Sequence, residues 1–391
     1  MMRSRALPIY GAVAVACALV YALRAQVPAP PAHAARANAV DKINHDQVDA
    51  IAAAAFAADP VGGLTVGIVK GPALVWTKSY GFADAEHQKP ASRETVYRIG
   101  SITKQFTATM MLQLVEQGKI HLTDPLERYL PEIRQVPRRT PDTPPITLLQ
   151  VASMTSGLAR EPNGPPDHSV GPLSGWEQKV LTSLPQTTYA NEPGTRYLYS
   201  NIGYASLGIA LGRAAHEPFT SYVQQHILGP LGMTHTAFEP TPAIREHIAR
   251  GYAVRRGEPP EWTSADKELE GRGYRVPNGA LFSTVDDLAR WISFELGEGP
   301  SGVLKKETQD DLYSRVYSAD TKLASAYGIA FSARRRSDLV AIGHGGSTAG
   351  FLSEAIFDRA TKTGVIVFRN VTGGKLDPGG LAIRVLEQIA K

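Results

Sequence analysis

Residues 98–120 read RIGSITKQFTATMMLQLVEQGKI and place Ser101 and Lys104 one helical turn apart at the start of an apolar helix. Residues three apart on a helix share a face, so the Lys104 amine can reach the Ser101 hydroxyl. A lysine that burial neutralises can accept the serine proton and activate the hydroxyl as a nucleophile. Apolar residues recur at four-residue spacing and would bury one side of the helix: Phe106, Met110 and Leu114. The sequence therefore predicts a rigidly held nucleophile.

The pattern Ser-x-x-Lys is weak evidence by itself, because a chain of this composition contains about one match by chance. A second match, Ser264 with Lys267, lies in the Pro-rich, charged stretch EPPEWTSADKELEG, where nothing apolar would bury the lysine. We interpret this second pair as part of a solvated loop or helix start. For Ser101 the alternative is a helix-capping serine beside a surface lysine, and the apolar helix that follows favours the nucleophile.

The first 34 residues have the pattern of an export signal. Arg3 and Arg5 precede an apolar run, residues 9–23, that is too short for a comfortable membrane span. Residues 32–34, Ala-His-Ala, then form a small-residue cleavage site. We predict an exported bacterial protein, periplasmic or secreted, which would contact a membrane only if this segment stays uncleaved. Cys17 is the only cysteine, so the mature chain would hold no disulfide.

The charge pattern gives no indication of a nucleic-acid partner. Three of the 41 basic residues lie in the leader, so residues 35–391 carry 38 basic and 37 acidic side chains. The densest basic cluster, Arg334 to Arg336, lies between two strand-like segments. We interpret it as a solvated hairpin tip.

The order of the predicted elements indicates an α+β protein. A helix is predicted from Asp41 to Ala58, followed by two strand-like runs, LTVGIVK and ALVWTKSYGFAD, joined at Gly71-Pro72. Near the C-terminus further strands are predicted for AYGIAFS, LVAIGHGG, FLSEAIFD and TGVIVFRN. A last helix is predicted from Leu381 to Ile389.

These elements predict a single catalytic domain over residues 35–391. Its α/β lobe would comprise about residues 35–100 and 301–391, so that both ends of the chain build one antiparallel sheet with helices across it. A mainly helical lobe would be inserted at about residues 101–300, where strand character is low. The loop-rich stretches 138–145 and 160–175 would be surface excursions of this lobe.

A second group of candidate residues lies in NEPGTRYLYSNIGYASLGIALGR, which begins at Asn191. Tyr199 and Asn201 follow a Pro-Gly turn and precede an apolar helix, a position well suited to chemistry. Tyr199 would transfer protons if the Lys104 cation lowers its pKa from about 10. The Asn201 amide would hold Lys104 and a substrate carbonyl. The similar Tyr189-Ala190-Asn191 lacks a following helix, and we interpret it as structural.

A third group lies in GHGGSTAGF, which starts at Gly343 between two strand-like runs. Gly345 and Gly346 would let a substrate approach the strand backbone closely, and a backbone N–H there can point into the site. A lone histidine on a strand is usually structural. Only its place among these glycines makes His344 a candidate for substrate binding.

Together the three motifs resemble those of the serine β-lactamase and D-alanyl-D-alanine peptidase superfamily, in particular the branch with class C β-lactamases, D,D-carboxypeptidases and related esterases. The resemblance covers nearly the whole mature chain, because seven segments occur in the family's order. They are TVYRIGSITKQFTA, LQLVEQGKIHLTDPLERYLPE, ITLLQVASMTSGL, PGTRYLYSNIGYASLG, ILGPLGMTHTAF, ALFSTVDDLARW and GHGGSTAGF. The implied fold is the α+β fold of the β-lactamases and transpeptidases.

The resemblance also implies a role for each matched residue. Ser101 would be the acylated nucleophile, and Lys104 and Tyr199 would transfer protons. Asn201 would bind Lys104 and the substrate. The backbone N–H groups of Ser101 and Ser347 would form the oxyanion hole. Whether Lys104 or Tyr199 is the base stays open, because their titrations are coupled.

The third motif departs from the family's Lys-Thr-Gly, since this chain has His344-Gly345-Gly346. Glycine at the second position removes a hydroxyl that would help bind a substrate carboxylate. A mostly neutral histidine also attracts a carboxylate less than lysine does. We therefore expect esterase or peptidase activity rather than efficient β-lactam hydrolysis.

The expected function is that of a serine hydrolase that forms an acyl-enzyme on a small-molecule ester, an amide or a D-amino-acid peptide. The alternatives are a class C-like β-lactamase and a penicillin-binding or sensor protein without turnover. A metallohydrolase is disfavoured because the sequence has no His-Glu-x-x-His, and an α/β-hydrolase because it has no Gly-x-Ser-x-Gly. No metal and no cofactor are expected.

Overall fold

The computed structural model describes residues 43–164, 166–255, 261–264, 271–322, 324–336 and 338–390. Its helices are α1 (His45–Ala57), α2 (Thr103–Glu116), α3 (Leu148–Ala152), α4 (Trp176–Ser183), α5 (Asn201–Ala215), α6 (Phe219–Val223), α7 (Val276–Gly279), α8 (Val285–Glu295), α9 (Lys306–Ser314) and α10 (Pro378–Ile389). Its strands are β1 (Gly63–Lys70), β2 (Ala73–Asp84), β3 (Lys89–Pro90), β4 (Tyr97–Arg98), β5 (Tyr252–Arg255), β6 (Glu261–Ser264), β7 (Phe282–Ser283), β8 (Ser318–Ala319), β9 (Ser325–Tyr327), β10 (Ser332–Arg336), β11 (Leu339–Thr348), β12 (Phe351–Asp358), β13 (Thr363–Arg369) and β14 (Val371–Thr372). The predicted leader and Lys267 lie outside the described residues.

Both ends of the chain build one large sheet. Within the described residues it has nine strands in the order β3-β2-β1-β13-β12-β11-β10-β9-β8, and neighbouring strands are antiparallel. β1 pairs with β13 from Leu64 opposite Arg369 to Lys70 opposite Thr363. This confirms the predicted α+β fold, in which the N-terminal hairpin joins the C-terminal strands.

Helices cover both faces of the sheet. Leu64, Val66 and Ile68 alternate along β1 and are fully buried against α1 and α10. On the opposite face α8 packs so closely that a β-carbon built on Gly67 would lie 2.5 Å from Val285 Cγ2. α8 belongs to the 101–300 stretch that was expected to form the helical lobe, yet it packs directly on the sheet.

The middle of the chain also contains small sheets. β5 and β6 form a hairpin that β14 extends, and β4 pairs with β7. Ser264 is therefore the last residue of a strand, and its interpretation as part of a loop or helix start is wrong. None of the helices in the described parts of the chain is long and apolar enough to cross a bilayer.

The region around the arginine cluster differs from its prediction. The strand predicted for AYGIAFS is broken by a turn in which Gly328 N–H donates to the Phe331 carbonyl at 2.8 Å and Ala330 adopts φ 60°. The chain then returns as β10, which contains Arg334 to Arg336 and pairs with β11. These arginines thus form the last part of β10, in which Arg336 lies opposite Leu339 of β11, so they are strand residues beside the hairpin tip rather than the tip itself.

Candidate active site

Ser101 and Lys104 meet at the start of α2, as their spacing predicts. Ser101 lies in a short 3-10 turn, Gly100–Ile102, that leads into the helix. The buried Lys104 Nζ lies 3.0 Å from Ser101 Oγ. Phe106, Met110 and Leu114 are fully buried, so the helix that carries the pair is held in the core.

Burial also controls the charge of Lys104. It lowers the Lys104 pKa well below the ordinary value of 10.5. Glu161 opposes this effect, whereas the positive charges of Arg160, Arg272 and Arg275 lower the pKa further. The amine form of Lys104 is therefore much more accessible near neutral pH than that of a surface lysine.

Tyr199 completes the cluster around the serine. Its ring centre lies 4.8 Å from Lys104 Nζ, and its hydroxyl is hydrogen-bonded to Ser101. Burial raises the pKa of Tyr199 above its ordinary value of 10, although the hydrogen bond to Ser101 opposes the rise. The expectation of a lowered Tyr199 pKa is therefore wrong, because burial outweighs the nearby cation.

Asn201 lies where the sequence places it, at the first turn of α5. The Ser200 hydroxyl caps this helix by accepting the Gly203 N–H at 3.0 Å. Asn201 Oδ1 accepts from Lys104 Nζ at 2.9 Å, and its Nδ2 donates to Glu161 Oε1 at 2.6 Å. Glu161 thus fixes which end of the amide faces the lysine.

The third motif lies against the turn that carries Ser101. A β-carbon built on Gly346 would lie 2.0 Å from the Ile99 carbonyl oxygen. One built on Gly100 would lie 2.8 Å from Ser347 N. The absence of these side chains lets β11 approach so closely that the backbone amides of Ser101 and Ser347 share one region.

His344 has a different environment from its glycine neighbours. Its Nε2 lies 3.1 Å from the Tyr327 hydroxyl, and its Nδ1 lies 2.6 Å from the Gly345 carbonyl oxygen. Burial lowers the pKa of His344 to about 3, so the ring is neutral at pH 7. Its ring centre lies 6.1 Å from that of Tyr199. The side chain does not line the cavity beside Ser101 within the described residues, and its direct contact with substrate stays a prediction.

Two residues of the site were missed by sequence reasoning. The first is Asn278, whose backbone carbonyl accepts from Lys104 Nζ at 2.8 Å and whose side-chain Nδ2 donates to the Asn201 carbonyl at 2.7 Å. Its Asn-Gly dipeptide is typical of a turn and gives no indication of this role. Glu161 lies in the 160–175 stretch, so this stretch is not purely a surface excursion.

A polar cavity of about 600 Å³ opens beside Ser101. Gly345, Gly346 and Ser347 form part of its wall. The wall also carries both signs of charge, from Arg160, Glu161, Arg272, Arg275, Glu354, Lys375 and Asp377. Across the described ranges, no group of three His, Cys, Asp or Glu side chains is placed to hold a metal ion.

Known proteins resemble this chain over much of its length. "Protein flp" from Staphylococcus aureus (strain COL) is 26% identical over 328 residues, which are 84% of this chain and 63% of that protein. The D-alanyl-D-alanine-carboxypeptidase/endopeptidase AmpH from Escherichia coli (strain K12) is 30% identical over 262 residues, 66% of this chain and 64% of that protein. The chain thus spans less than two thirds of the length of either relative.

A solved structure shows the same fold. The octameric penicillin-binding protein homologue from Pyrococcus abyssi matches with a TM-score of 0.74 at 23% identity, over 88% of this chain and 76% of that one. The two proteins therefore share one architecture. The model of the Beta-lactamase family matches residues 48–389, and the chain belongs to this family of hydrolases.

Proposed function

We propose that this protein is a serine hydrolase that acts through an acyl-enzyme on an ester, an amide or a D-amino-acid peptide. The observation that supports it most is the buried Lys104 Nζ at 3.0 Å from Ser101 Oγ. A serine hydroxyl becomes a useful nucleophile when an adjacent base takes its proton. Burial supplies that base by favouring the neutral amine of Lys104.

The hydrogen bonds of Lys104 suit this role. A neutral lysine has two N–H donors and one lone pair. Asn201 Oδ1 and the Asn278 carbonyl, at 2.9 and 2.8 Å, are the acceptors for the two N–H groups. The lone pair is then directed to the Ser101 hydroxyl, which can donate its proton.

In the proposed reaction Lys104 accepts the proton as Ser101 Oγ attacks the substrate carbonyl. The backbone N–H groups of Ser101 and Ser347 stabilise the resulting oxyanion. Tyr199, kept protonated by its raised pKa, donates its proton to the leaving group and recovers one from Lys104. Water then attacks the acyl-enzyme while the same groups act in reverse, and acid and serine are released.

The substrate class is constrained by the third motif. His344 is buried and neutral, and Gly345 has no hydroxyl, so these two positions offer neither a fixed cation nor a side-chain donor to a substrate carboxylate. We therefore place esters and peptides before β-lactams. The similarity to AmpH, whose name describes a D-alanyl-D-alanine carboxypeptidase and endopeptidase, supports including D-amino-acid peptides among the candidates.

Covalent labelling tests the nucleophile. After treatment with a fluorophosphonate or a penicillin, intact-mass spectrometry should show one adduct, on the peptide that contains Ser101. Ser101→Ala should remove both adduct and activity. Ser264→Ala, the same change at the other Ser-x-x-Lys pair, is the matched control and should retain both. An adduct on another residue, or full activity in Ser101→Ala, would overturn the assignment.

Turnover distinguishes an enzyme from a sensor. A panel of short esters, a cephalosporin and D-Ala-D-Ala peptides should include at least one substrate that is hydrolysed many times per protein molecule. Stoichiometric acylation without turnover of any member would favour the non-turnover alternative.

Export is part of the same proposal. The basic start, the apolar run and Ala-His-Ala at residues 32–34 are its support. N-terminal sequencing of the protein from a bacterial periplasmic or culture fraction should begin after Ala34, whereas a protein that retains residues 1–34 would contradict cleavage.

A further inference from the structure

Gly345 and Glu354 lie opposite each other on β11 and β12, and both line the cavity beside Ser101. Glu354 is only 6% exposed. A β-carbon built on Gly345 would lie 2.5 Å from Glu354 Oε2. The carboxylate of Glu354 therefore occupies the space that a larger residue at position 345 would need.

Arg334 is the ion-pair partner of this carboxylate. Its guanidinium forms an ion pair and a short hydrogen bond with Glu354 Oε1. Arg334 itself lines a separate pocket of about 450 Å³, together with Tyr197 and Tyr327. Arg334 is not among the residues that line the active-site cavity, although its guanidinium lies near Gly379, which does line it. Glu354 Oε2 lies on the Gly345 side.

Glu354 and Asp377 place two carboxyl groups at one corner of the cavity, since a β-carbon built on Gly379 would lie 3.4 Å from an oxygen of each. Asp377 also lines the cavity and caps α10, since its two carboxylate oxygens accept the N–H groups of Gly379 and Gly380 at 3.0 Å. Burial raises the pKa of Glu354 while Arg334 opposes the rise. The ion pair is therefore the contact that favours the charged carboxylate.

We infer that Glu354 is a specificity-determining residue that disfavours substrates with a carboxylate beside the scissile bond and favours those that place an ammonium there. The inference rests on the proposed function, because it concerns the same cavity. Two carboxylates brought together in a partly buried site repel each other much more than in water. An ammonium at the same place would instead gain an ion pair. Ester and internal amide bonds would then be better substrates than an amide next to a free C-terminal carboxylate.

Matched esters test this inference on both sides of the scissile bond. One set is 3-methylphenyl, 3-carboxyphenyl and 3-(aminomethyl)phenyl acetate, which places the charge on the leaving group. The other is the p-nitrophenyl esters of butyrate, succinate and β-alanine, which places it on the acyl group. Each kcat/KM is divided by the rate constant for hydroxide-catalysed hydrolysis of the same ester, so that intrinsic reactivity cancels.

In at least one set the wild-type protein should hydrolyse the carboxylate ester at least about tenfold less efficiently than the neutral ester, and the ammonium ester at least as well. Glu354→Gln should reduce this discrimination by about tenfold. Glu132→Gln is the matched control, because Glu132 is also paired with an arginine, Arg213 at 2.7 Å, but lies outside the cavity lining. It should leave the ratios unchanged.

The outcomes separate the two proposals. Equal ratios in wild type and Glu354→Gln in both sets would overturn the role of Glu354, while Ser101-dependent hydrolysis of the neutral esters would preserve the proposed function. A wild-type preference for the carboxylate esters would overturn the role of Glu354 without any variant, so an unstable Glu354→Gln protein does not prevent the test. If no ester is hydrolysed and Ser101 is not labelled, the proposed function fails and the inference fails with it.

Discussion

Gly346→Ala is expected to inactivate the protein although it changes none of the side chains that take part in the proposed reaction. The new β-carbon would lie 2.0 Å from the Ile99 carbonyl oxygen and 2.3 Å from Ser353 Oγ. β-Carbons essentially never approach other heavy atoms within 3.0 Å. The Ser353 side chain can rotate, but Ile99 is backbone, so β11 must move about 1 Å from the turn that carries Ser101.

The size of the effect follows from what lies on the two sides of this contact. Ser347 N–H is on β11 and Ser101 is two residues after Ile99, so the displacement separates the two proposed oxyanion donors. A misplacement of about 1 Å costs on the order of 100-fold in rate. Loss of one oxyanion donor costs about 100- to 1,000-fold. We expect kcat/KM to fall at least about 100-fold, and overpacking to lower the free energy of unfolding by about 1 to 3 kcal/mol.

The assay is steady-state hydrolysis of a neutral chromogenic ester, with thermal unfolding followed by circular dichroism. Gly302→Ala is the matched control, because a β-carbon there would meet no atom within 4 Å and the residue is not in the left-handed region. It should retain wild-type activity and stability. Gly346→Ala with kcat/KM within threefold of wild type and an unchanged melting temperature would refute the reasoning.

Three further predictions concern the charged and polar groups of the site. Lys104→Ala and Tyr199→Phe should each lower kcat by at least about 100-fold, with the double variant losing far less than the product; full additivity would mean that they do not act as one assembly. Because the folded Lys104 has a lowered pKa, kcat/KM should rise with pH along a limb with its midpoint below 10.5. The free energy of unfolding should rise in the same window, since the unfolded lysine keeps a proton that the folded one has lost; a Lys104→Arg protein with the same limb would contradict this. His344→Lys with Gly345→Thr should displace the Glu354 carboxylate, whose Oε2 would lie 2.5 Å from the new β-carbon, and adding Glu354→Ala should relieve this contact and raise cephalosporin turnover relative to ester turnover. A gain of cephalosporin turnover in the double variant alone would refute the steric argument.

The large sheet could be predicted because its strands carry local patterns. The predicted runs ALVWTKSYGFAD and FLSEAIFD coincide with β2 and β12. The prediction of one strand for AYGIAFS was wrong because the turn within it depends on a left-handed Ala330, and alanine gives no signal for that conformation. α10 begins at Pro378 rather than Leu381. Gly379 and Gly380 do not indicate a helix in the sequence, but the Asp377 side chain accepts their N–H groups and caps the helix there.

The site could be predicted only as far as its motifs extend. Ser101 and Lys104 are three residues apart, and helix geometry alone brings them together. Asn278 reaches Lys104 across a sequence separation of 174 residues, and Glu161 reaches Asn201 across 40. Such contacts arise from packing of α7 and of the loop that carries Glu161 against α2 and α5, and no local pattern encodes them.

The pKa of Tyr199 shows a different limit of prediction from the sequence. The sequence indicated a nearby cation, which lowers a phenol pKa, but it could not give the degree of burial, which raises it. In the structure burial is the larger effect. This supports one answer to a question that the motifs left open: a buried amine with a lowered pKa is the better base, and a phenol with a raised pKa is the better proton donor. The proposed division of labour between Lys104 and Tyr199 follows from their environments rather than from their residue types.

The second position of the third motif is where sequence and structure together say more than either alone. From the sequence, Gly345 is a loss, because a hydroxyl that would bind a carboxylate is missing. In the structure its backbone is not in the left-handed region, so the conformation there does not require glycine. A larger residue would instead have to displace Glu354 Oε2, which lies 2.5 Å from where a β-carbon would stand. At this place in the cavity the family's hydroxyl donor on β11 is missing, and the Glu354 carboxylate on β12, an anionic acceptor, lies there instead. An exchange of this kind changes the sign of the group that the cavity accepts, whereas a simple loss would only weaken binding, and the carboxylate and ammonium esters distinguish the two.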